Sequence, residues 1–218
     1  MIKGAIFDVD GTLLDSMSIW DDVGARYLRA IGALPEENLS EILFSMSLEE
    51  GALYMKNHYR LELPAEEIRA GVLRIIEDFY RYEVEAKSGA ADFLKELEKH
   101  GVACVLATTG DEELSMAALK RMKMDEYFKK IFTCSGLGTS KRESLIYEKA
   151  AKFLGCKKNE ILVFEDVLYA LQSASRVGLG TVAVEDEASQ KDWKAMKREA
   201  DFYLKDFKDF PGFWKAMS

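Results

Sequence analysis

A chain of 218 residues, 48% hydrophobic and 31% charged, is typical of a globular protein that is long enough to bury a substantial core. Because 38 acidic residues outnumber 30 basic ones, giving a formal net charge of −8, we expect no nucleic-acid partner. No stretch approaches the roughly 20 apolar residues of a membrane span, and Asp8 interrupts the first apolar run before it could form a signal peptide, so we expect a cytoplasmic protein without a membrane partner.

Short apolar runs alternate with helical periodicity over most of the chain. The runs are rich in β-branched and aromatic residues, which predicts buried strands, and three of the four helical segments end on a glycine, where a C-terminal cap is expected. This alternation predicts an α/β fold with a parallel sheet covered by helices on both faces. The predicted strands are residues 4–7, 101–110, 130–134, 160–166 and 180–184, the predicted helices are 89–101, 113–124, 144–155 and 169–180, and the aromatic tail 207–218 is expected to pack on the core.

The segment from residue 16 to residue 85 interrupts the alternation. It shows helical periodicity and no convincing strand, and Pro35 and Pro64 divide it into helical hairpins. A helical insert after the first strand is the simplest account. We therefore predict a core formed by residues 1–15 and 86–218, and a smaller helical domain formed by residues 16–85.

Two acidic residues, Asp8 and Asp10, end the first apolar run in the segment FDVDGT. Side chains alternate along a strand, so an extended backbone places both carboxylates on one side, at the edge of the sheet where open α/β folds bind ligands. Carboxylates this close repel each other, and a hard divalent cation such as Mg²⁺ relieves the repulsion. Two alternatives stay open: an Asp-Gly surface turn, and a calcium loop, whose spacing asks for another acidic residue before the glycine.

Polar residues also follow two other predicted strands. Thr108 and Thr109 end the segment VLATT, where hydroxyl and backbone N–H groups could hold an anion near a helix start. Glu165 and Asp166 end the segment VFED and could complete a metal site. Read separately, Thr108 is an ordinary helix cap and the acidic pair a solvated loop. Together, three polar strand ends around one parallel sheet favour a shared site.

Four motifs follow one another along nearly the whole chain. They are FDVDGTLLDS from Phe7, LATTG ending at Gly110, Lys141 before a helix that ends in Leu-Gly, and VFEDVLYALQSASRVGLGTVAV from Val163. In this order they resemble the haloacid dehalogenase superfamily of phosphotransferases, in the branch with a helical cap inserted after the first strand. The resemblance implies a doubly wound parallel sheet with a Rossmann-like core and a smaller inserted helical cap domain.

The resemblance also implies catalytic roles. Asp8 is the implied nucleophile, which accepts the phosphoryl group as an aspartyl-phosphate, and Asp10 is the implied acid that protonates the leaving oxygen and then deprotonates the attacking water. Thr108 hydrogen-bonds the transferring phosphoryl group and Lys141 neutralises it. Without the other motifs, Lys141 would be interpreted as a solvated lysine at a helix start.

The implied cofactor is Mg²⁺, held by Asp8, by Asp10 through its backbone carbonyl, and by Asp166, with Glu165 as a further candidate ligand. Candidate residues for binding substrate and phosphate are Thr108, Thr109, Lys141 and, from the helical insert, Trp20.

The chain departs from the family pattern at two places. Relatives usually carry prolines in a K-P-x-P pattern after the lysine, whereas this chain reads KRES from Lys141, and the missing prolines remove a source of rigidity. Past the acidic pair, relatives often have Ser and then Gly, where this chain has Val167 and Ala170. None of the four charged positions of the pattern is lost, so we expect activity.

The reaction we expect is Mg²⁺-dependent hydrolysis of a small phosphomonoester such as a sugar phosphate. A haloacid dehalogenase would need no second aspartate, so Asp10 argues against that activity. Alternatives are a phosphotransferase of the β-phosphoglucomutase type, from which this chain differs at Trp20 and Leu48, near positions where such mutases place His and Arg, and a non-catalytic binding module with the same fold. The expected partner is a small phosphorylated substrate, with no nucleic-acid or membrane partner, and we expect a monomer or weak dimer.

Overall fold

The computed structural model describes residues 1–44 and 46–217. The chain divides into two compact units, one formed by residues 1–15 and 85–218 and the other by residues 16–84. The boundary between them on the return of the chain lies one residue earlier than the sequence-based one.

The first unit is built on a parallel sheet, whose six strands lie within the described residues. The strands are β1 (Gly4–Phe7), β2 (Ala103–Thr108), β3 (Phe128–Thr133), β4 (Ile161–Glu165), β5 (Gly180–Val184) and β6 (Phe202–Leu204). Their spatial order is β3-β2-β1-β4-β5-β6, and every neighbouring pair is parallel. The first strand therefore lies between the second and the fourth, and the carboxyl ends of these three strands meet at one edge of the sheet.

Helices cover both faces of this sheet, as the alternating pattern predicts. Successive side chains of β1 point to opposite faces: Ile6 belongs to an apolar cluster with Tyr147 and Ala174, whereas the ring of Phe7 stacks on Phe164, 4.1 Å between centroids. The α/β fold with a doubly wound parallel sheet is confirmed. The helices of this unit are α5 (Ala90–Lys99), α6 (Glu112–Arg121), α7 (Cys134–Leu137), α8 (Leu145–Leu154), α9 (Leu168–Arg176), α10 (Trp193–Glu199) and α11 (Phe210–Met217).

The aromatic tail packs on the core through α11. Phe213 is buried, and its ring lies 4.9 Å from that of Phe93 and 5.8 Å from that of Phe164, between centroids. The expected packing of the tail is therefore confirmed.

Some elements of the first unit differ from the prediction. The predicted helix 169–180 spans Leu168–Arg176, and the residue that takes a left-handed backbone after it is Gly178, with φ of +80°. Gly180, predicted both to close this helix and to begin a strand, is the first residue of β5, so the predicted strand 180–184 is confirmed. The short strand β6 and the short helices α7 and α10 were not predicted.

The second unit is helical. Its helices are α1 (Ser18–Ala30), α2 (Leu39–Leu43), α3 (Leu48–His58) and α4 (Ala65–Asp78), followed by a π-helical turn at Phe79–Glu83. At the start of α3, Ser47 and Glu50 form a reciprocal capping box. No helix within residues 1–44 and 46–217 is long and apolar enough to cross a bilayer.

Candidate active site

Asp8 and Asp10 lie in a tight turn directly after β1. The turn is closed by the backbone N–H of Leu14, which donates to the carbonyl of Val9 at 2.9 Å. Gly11 has φ of +79°, a left-handed conformation that favours glycine over residues with a side chain. The Asp-Gly pair thus does form a turn, but Asp8 is only 5% exposed, so the alternative of a plain surface turn is wrong for Asp8.

Lys141 is buried beside Asp8. It is 3% exposed, its Nζ contacts Asp8 Oδ1, and it lies 2.5 Å from Glu165 Oε1. Burial alone would lower the pKa of this ammonium, but the neighbouring carboxylates of Asp8 and Glu165 outweigh burial and raise the pKa above its usual value. The interpretation of Lys141 as a solvated lysine is therefore wrong, and the site contains a permanent positive charge.

Three carboxylates form a buried cluster. Oxygens of Asp8, Glu165 and Asp166 lie within 4.8 Å of one another. Burial, with the nearby charge of Asp8, raises the pKa of Glu165 to about 7 despite the opposing effect of Lys141, and the same causes raise the pKa of Asp166. Thr12 fixes the orientation of Asp166 by donating from Oγ1 to Oδ1 at 3.2 Å. Since Glu165, the last residue of β4, and Asp166, which follows it, are both buried, the interpretation of this pair as a solvated loop is wrong.

This cluster fits a hard divalent cation. All its donors are carboxylate oxygens, the ligands that Mg²⁺ prefers. Among the described residues, Glu165 Oε2 is a buried oxygen without a hydrogen-bond partner, although its other oxygen contacts Lys141. A buried acceptor left unpaired is costly, and a bound cation would remove that cost as well as the repulsion among the carboxylates.

Thr108 and Asp10 approach each other at Gly110. A Cβ added at Gly110 would lie 2.6 Å from Asp10 Oδ2 and 3.2 Å from Thr108 Oγ1, so both oxygens flank this glycine. Thr108 is buried, and its Oγ1 accepts a hydrogen bond from the backbone N–H of Gly110 at 2.9 Å. Asp111, not Thr108, caps α6 by accepting from the N–H of Leu114, which rules out the helix-cap interpretation of Thr108. Thr109 is exposed.

Sequence reasoning missed Tyr147. This residue of α8 is fully buried, and its hydroxyl donates to Glu165 Oε1 at 2.7 Å. Burial, followed by the charge of Glu165, raises the pKa of the Tyr147 hydroxyl above its usual value, so the hydroxyl stays a donor. In the sequence Tyr147 lies on the apolar face of a predicted helix, where a tyrosine reads as ordinary core, and no local signal marks its polar partner.

Trp20 belongs to the helical unit. It is 48% exposed and lines a cavity of about 410 Å³ inside that unit. The lining is mainly apolar and includes Met17, Phe44 and Met46. This volume lies in the range of small-molecule pockets, and the role of Trp20 in substrate binding stays a prediction.

Comparison with known proteins agrees with the motifs. A model of the family described as haloacid dehalogenase-like hydrolase matches residues 5–184. Hexitol phosphatase A of Escherichia coli (strain K12) is 28% identical over 184 residues, covering 84% of this chain and 82% of that protein. The (S)-2-haloacid dehalogenase 4A of Burkholderia cepacia is 25% identical over 208 residues, covering 88% and 87%.

A solved structure from Thermotoga maritima, assigned as a beta-phosphoglucomutase, superposes with a TM-score of 0.84 at 18% identity, covering 98% of this chain and 99% of that one. At this identity the likeness shows the fold alone. The match of the family model over most of the chain confirms the predicted resemblance and the prediction of a hydrolytic enzyme: the chain belongs to the haloacid dehalogenase-like hydrolase family.

Proposed function

We propose that the protein is a Mg²⁺-dependent phosphatase that hydrolyses a small phosphomonoester through an aspartyl-phosphate on Asp8. The observation that carries the proposal is the buried contact between Asp8 and Lys141 at the edge of an acidic cluster. A carboxylate nucleophile next to a fixed cation suits attack on a phosphate ester, whose charge must be compensated while the phosphoryl group moves.

In the first step an oxygen of Asp8 attacks phosphorus, and the bond from phosphorus to the ester oxygen breaks. Asp10 donates a proton to that leaving oxygen, so the alcohol departs neutral. In the second step Asp10 takes a proton from water, the water oxygen attacks phosphorus, and the acyl-phosphate bond to Asp8 breaks. Inorganic phosphate leaves, and both aspartates return to their starting states.

Charge on the transferring group is balanced by the residues around it. Lys141 supplies a fixed positive charge, and Thr108 offers its hydroxyl proton to a phosphoryl oxygen, with Thr109 contributing to phosphate binding at the same strand end. Asp8, Asp166 and the backbone carbonyl of Asp10 are the proposed ligands of Mg²⁺, with Glu165 as a further one. A bound Mg²⁺ supplies additional compensation of charge on the phosphoryl oxygens.

The relatives and the helical unit indicate the substrate class. We propose a small phosphorylated metabolite such as a sugar phosphate, because the relatives of this chain include a hexitol phosphatase. The helical unit, including Trp20 and the apolar cavity that it lines, is proposed to select among such esters. A cytoplasmic location and a monomer or weak dimer complete the proposal.

Phosphate release from p-nitrophenyl phosphate and from a panel of sugar phosphates, with and without Mg²⁺, tests the proposal. We expect release that depends on Mg²⁺, is abolished by Asp8→Asn, and is unchanged by Asp92→Asn, an exposed aspartate of α5. Label from a ³²P-phosphoester should remain on the acid-quenched wild-type protein and not on Asp8→Asn. No release from any ester would overturn the proposal, and conversion of β-glucose 1-phosphate to glucose 6-phosphate with a bisphosphate primer would assign a mutase instead.

A further inference from the structure

The loop that carries Lys141, residues 139–144, is fastened to helix α9. We infer that Arg176 and Ser173 of that helix are positioning residues, which hold this Lys141 loop so that the ammonium of Lys141 lies beside Asp8. The consequence for catalysis rests on the proposed function, whereas the consequence for the position of Lys141 does not.

Arg176 makes the central contact. Its Nη2 donates to the backbone carbonyl of Arg142 at 2.7 Å, and Arg142 is the residue directly after Lys141. The same Nη2 donates to Ser173 Oγ at 2.6 Å. Because a guanidinium presents several donors in a rigid plane, one side chain can hold the loop carbonyl and the helix hydroxyl together.

Ser173 provides the buried part of the contact. It is fully buried, and its hydroxyl lies 3.1 Å from the carbonyl of Arg142 and 2.9 Å from that of Tyr169. The backbone carbonyl of Ser173 in turn accepts from Ser144 Oγ at 2.9 Å. Helix α9 therefore holds the loop at two points, the Arg142 carbonyl and the Ser144 hydroxyl.

A third contact involves the side chain of Arg142. Its guanidinium lies 4.3 Å from the ring centre of Tyr169, a cation–π distance. The backbone directly after Lys141 is therefore held against α9 through Arg142 and Ser144.

The loop has no proline to fix its backbone, so its position depends on hydrogen bonds such as these. Residues 139–144 read TSKRES and contain no proline, so none of these residues has a fixed φ. The lysine side chain is itself a flexible chain of four carbons, yet its Nζ must meet Asp8 and Glu165 at once. Helix α9 begins two residues after Asp166. The helix that directly follows the acidic residues in the sequence is therefore also the helix that holds the Lys141 loop. A displacement of about 1 Å at such a site can cost about a hundredfold in rate.

The test compares Arg176→Ala with Arg176→Lys and with Gln172→Ala. Gln172 is exposed on the same helix and donates to Glu199, away from the Lys141 loop, so it is a matched control. We expect Arg176→Ala to lower kcat/KM for p-nitrophenyl phosphate about tenfold to a hundredfold, Arg176→Lys to recover part of the loss through its one ammonium, and Gln172→Ala to change nothing. Urea unfolding midpoints verify that each variant is folded.

A double-mutant cycle separates positioning from a general loss of structure. If Arg176 acts through Lys141, then Arg176→Ala should cause no further loss of binding of inorganic phosphate, measured by calorimetry, in a Lys141→Ala background. An equal loss in both backgrounds would overturn the inference, as would wild-type kcat/KM in Arg176→Ala.

A crystal structure of Arg176→Ala keeps the inference testable if the proposed function fails. If the wild-type protein hydrolyses no phosphomonoester, the proposed function is wrong, and the inference is then decided by the position of Lys141. We expect the Lys141 loop to shift and Nζ to leave Asp8. An unchanged contact between Lys141 and Asp8 would overturn the inference whatever the activity.

Discussion

Gly110 lies where the side chains of Asp10 and Thr108 approach the backbone after β2. A methyl group there would lie 2.6 Å from Asp10 Oδ2, closer than nonbonded atoms pack. The carboxylate of Asp10 can rotate away, so the fold survives, but the proposed proton donor is then displaced. A methyl group at Gly110 should therefore lower activity while leaving stability nearly unchanged.

We therefore expect Gly110→Ala to remain folded, with an unfolding midpoint near that of the wild type, and to lose about tenfold or more in kcat. Gly101→Ala should show the opposite pattern. Gly101 precedes β2 with φ of +73° and open space around it, so a side chain there costs about 1–2 kcal/mol in backbone strain and leaves kcat unchanged. Urea unfolding and steady-state kinetics on both variants distinguish the two patterns, and wild-type kcat in Gly110→Ala would refute the assignment of Asp10.

Tyr147 stabilises the pair formed by Glu165 and Lys141. Tyr147→Phe removes the hydroxyl that donates to Glu165 Oε1 while keeping the buried ring. Because Glu165 is fully buried and loses a partner, we expect the free energy of unfolding to fall by about 1–3 kcal/mol. Tyr82→Phe, at an exposed tyrosine of the helical unit, should leave the free energy of unfolding unchanged. Equal stabilities for the two variants in urea would contradict this role of Tyr147.

At the scale of elements, the predictable strands are those with a clear local pattern. β1, β2, β4 and β5 are continuous apolar runs buried on both faces of a parallel sheet, so the sequence itself marks them. β6 is a three-residue strand at the edge of the sheet, where it pairs with β5. A segment of three residues is too short to show a periodic hydrophobic pattern. Its extended conformation depends on pairing with β5.

The same reasoning explains which site residues could be predicted. Asp8 and Asp166 each follow a recognisable strand and Thr108 ends another, and a parallel sheet necessarily brings those strand ends to one edge. Tyr147 and Arg176 lie on helices whose apolar faces are visible in the sequence. Their hydrogen-bond partners, Glu165 and Arg142, lie 18 and 34 residues away along the chain. A local sequence pattern does not predict such a contact between distant segments.

Helix α11 stabilises the first unit through one deeply buried ring. Phe213 lies among Phe93, Phe164 and Phe202, with ring centroids 4.9, 5.8 and 5.4 Å away. Phe213→Ala should lower the free energy of unfolding by about 3–5 kcal/mol, because the cavity left behind cannot fully collapse. Phe153→Ala, at a ring that is 46% exposed, should cost much less. Urea unfolding followed by circular dichroism compares the two, and equal losses would show that α11 docks only loosely.

At the scale of the whole molecule, the chain leaves and re-enters the first unit at one place. The N–H of Asp15 donates to the carbonyl of Glu85 at 2.9 Å, and the N–H of Lys87 donates to the carbonyl of Leu13 at 2.8 Å. Both hydrogen bonds lie within the first unit, so the two ends of the helical insert are joined there. The insert therefore interrupts the sequence of the core without interrupting its sheet, which explains why β1 and β2 pair across 95 intervening residues, 8–102.

The stability of the whole molecule should also report on the acidic cluster. The pKa of Glu165 is raised from 4.5 to about 7 by burial and by the charge of Asp8, against the effect of Lys141, and that of Asp166 is raised as well. A carboxyl whose pKa is higher in the folded state stabilises the protein at a pH below its pKa in the unfolded state. This stabilisation is lost as the pH rises through the pKa in the folded state. The metal-free protein should therefore lose stability from these groups between about pH 4.5 and pH 7.

Mg²⁺ should reverse this loss, because it binds the ionised carboxylates and competes with protons. We expect the increase in Tm on adding Mg²⁺ to be larger at pH 8 than at pH 6. At a Mg²⁺ concentration a hundred times the Kd, the free energy of unfolding should rise by about 2.7 kcal/mol. Asp166→Asn removes one proposed ligand and should abolish most of the increase, whereas Asp92→Asn, at an exposed position of α5, should keep it. Thermal unfolding in chelated and Mg²⁺-loaded samples measures the effect. An increase in Tm that is equal at both pH values, or that survives in Asp166→Asn, would place the cation outside the cluster.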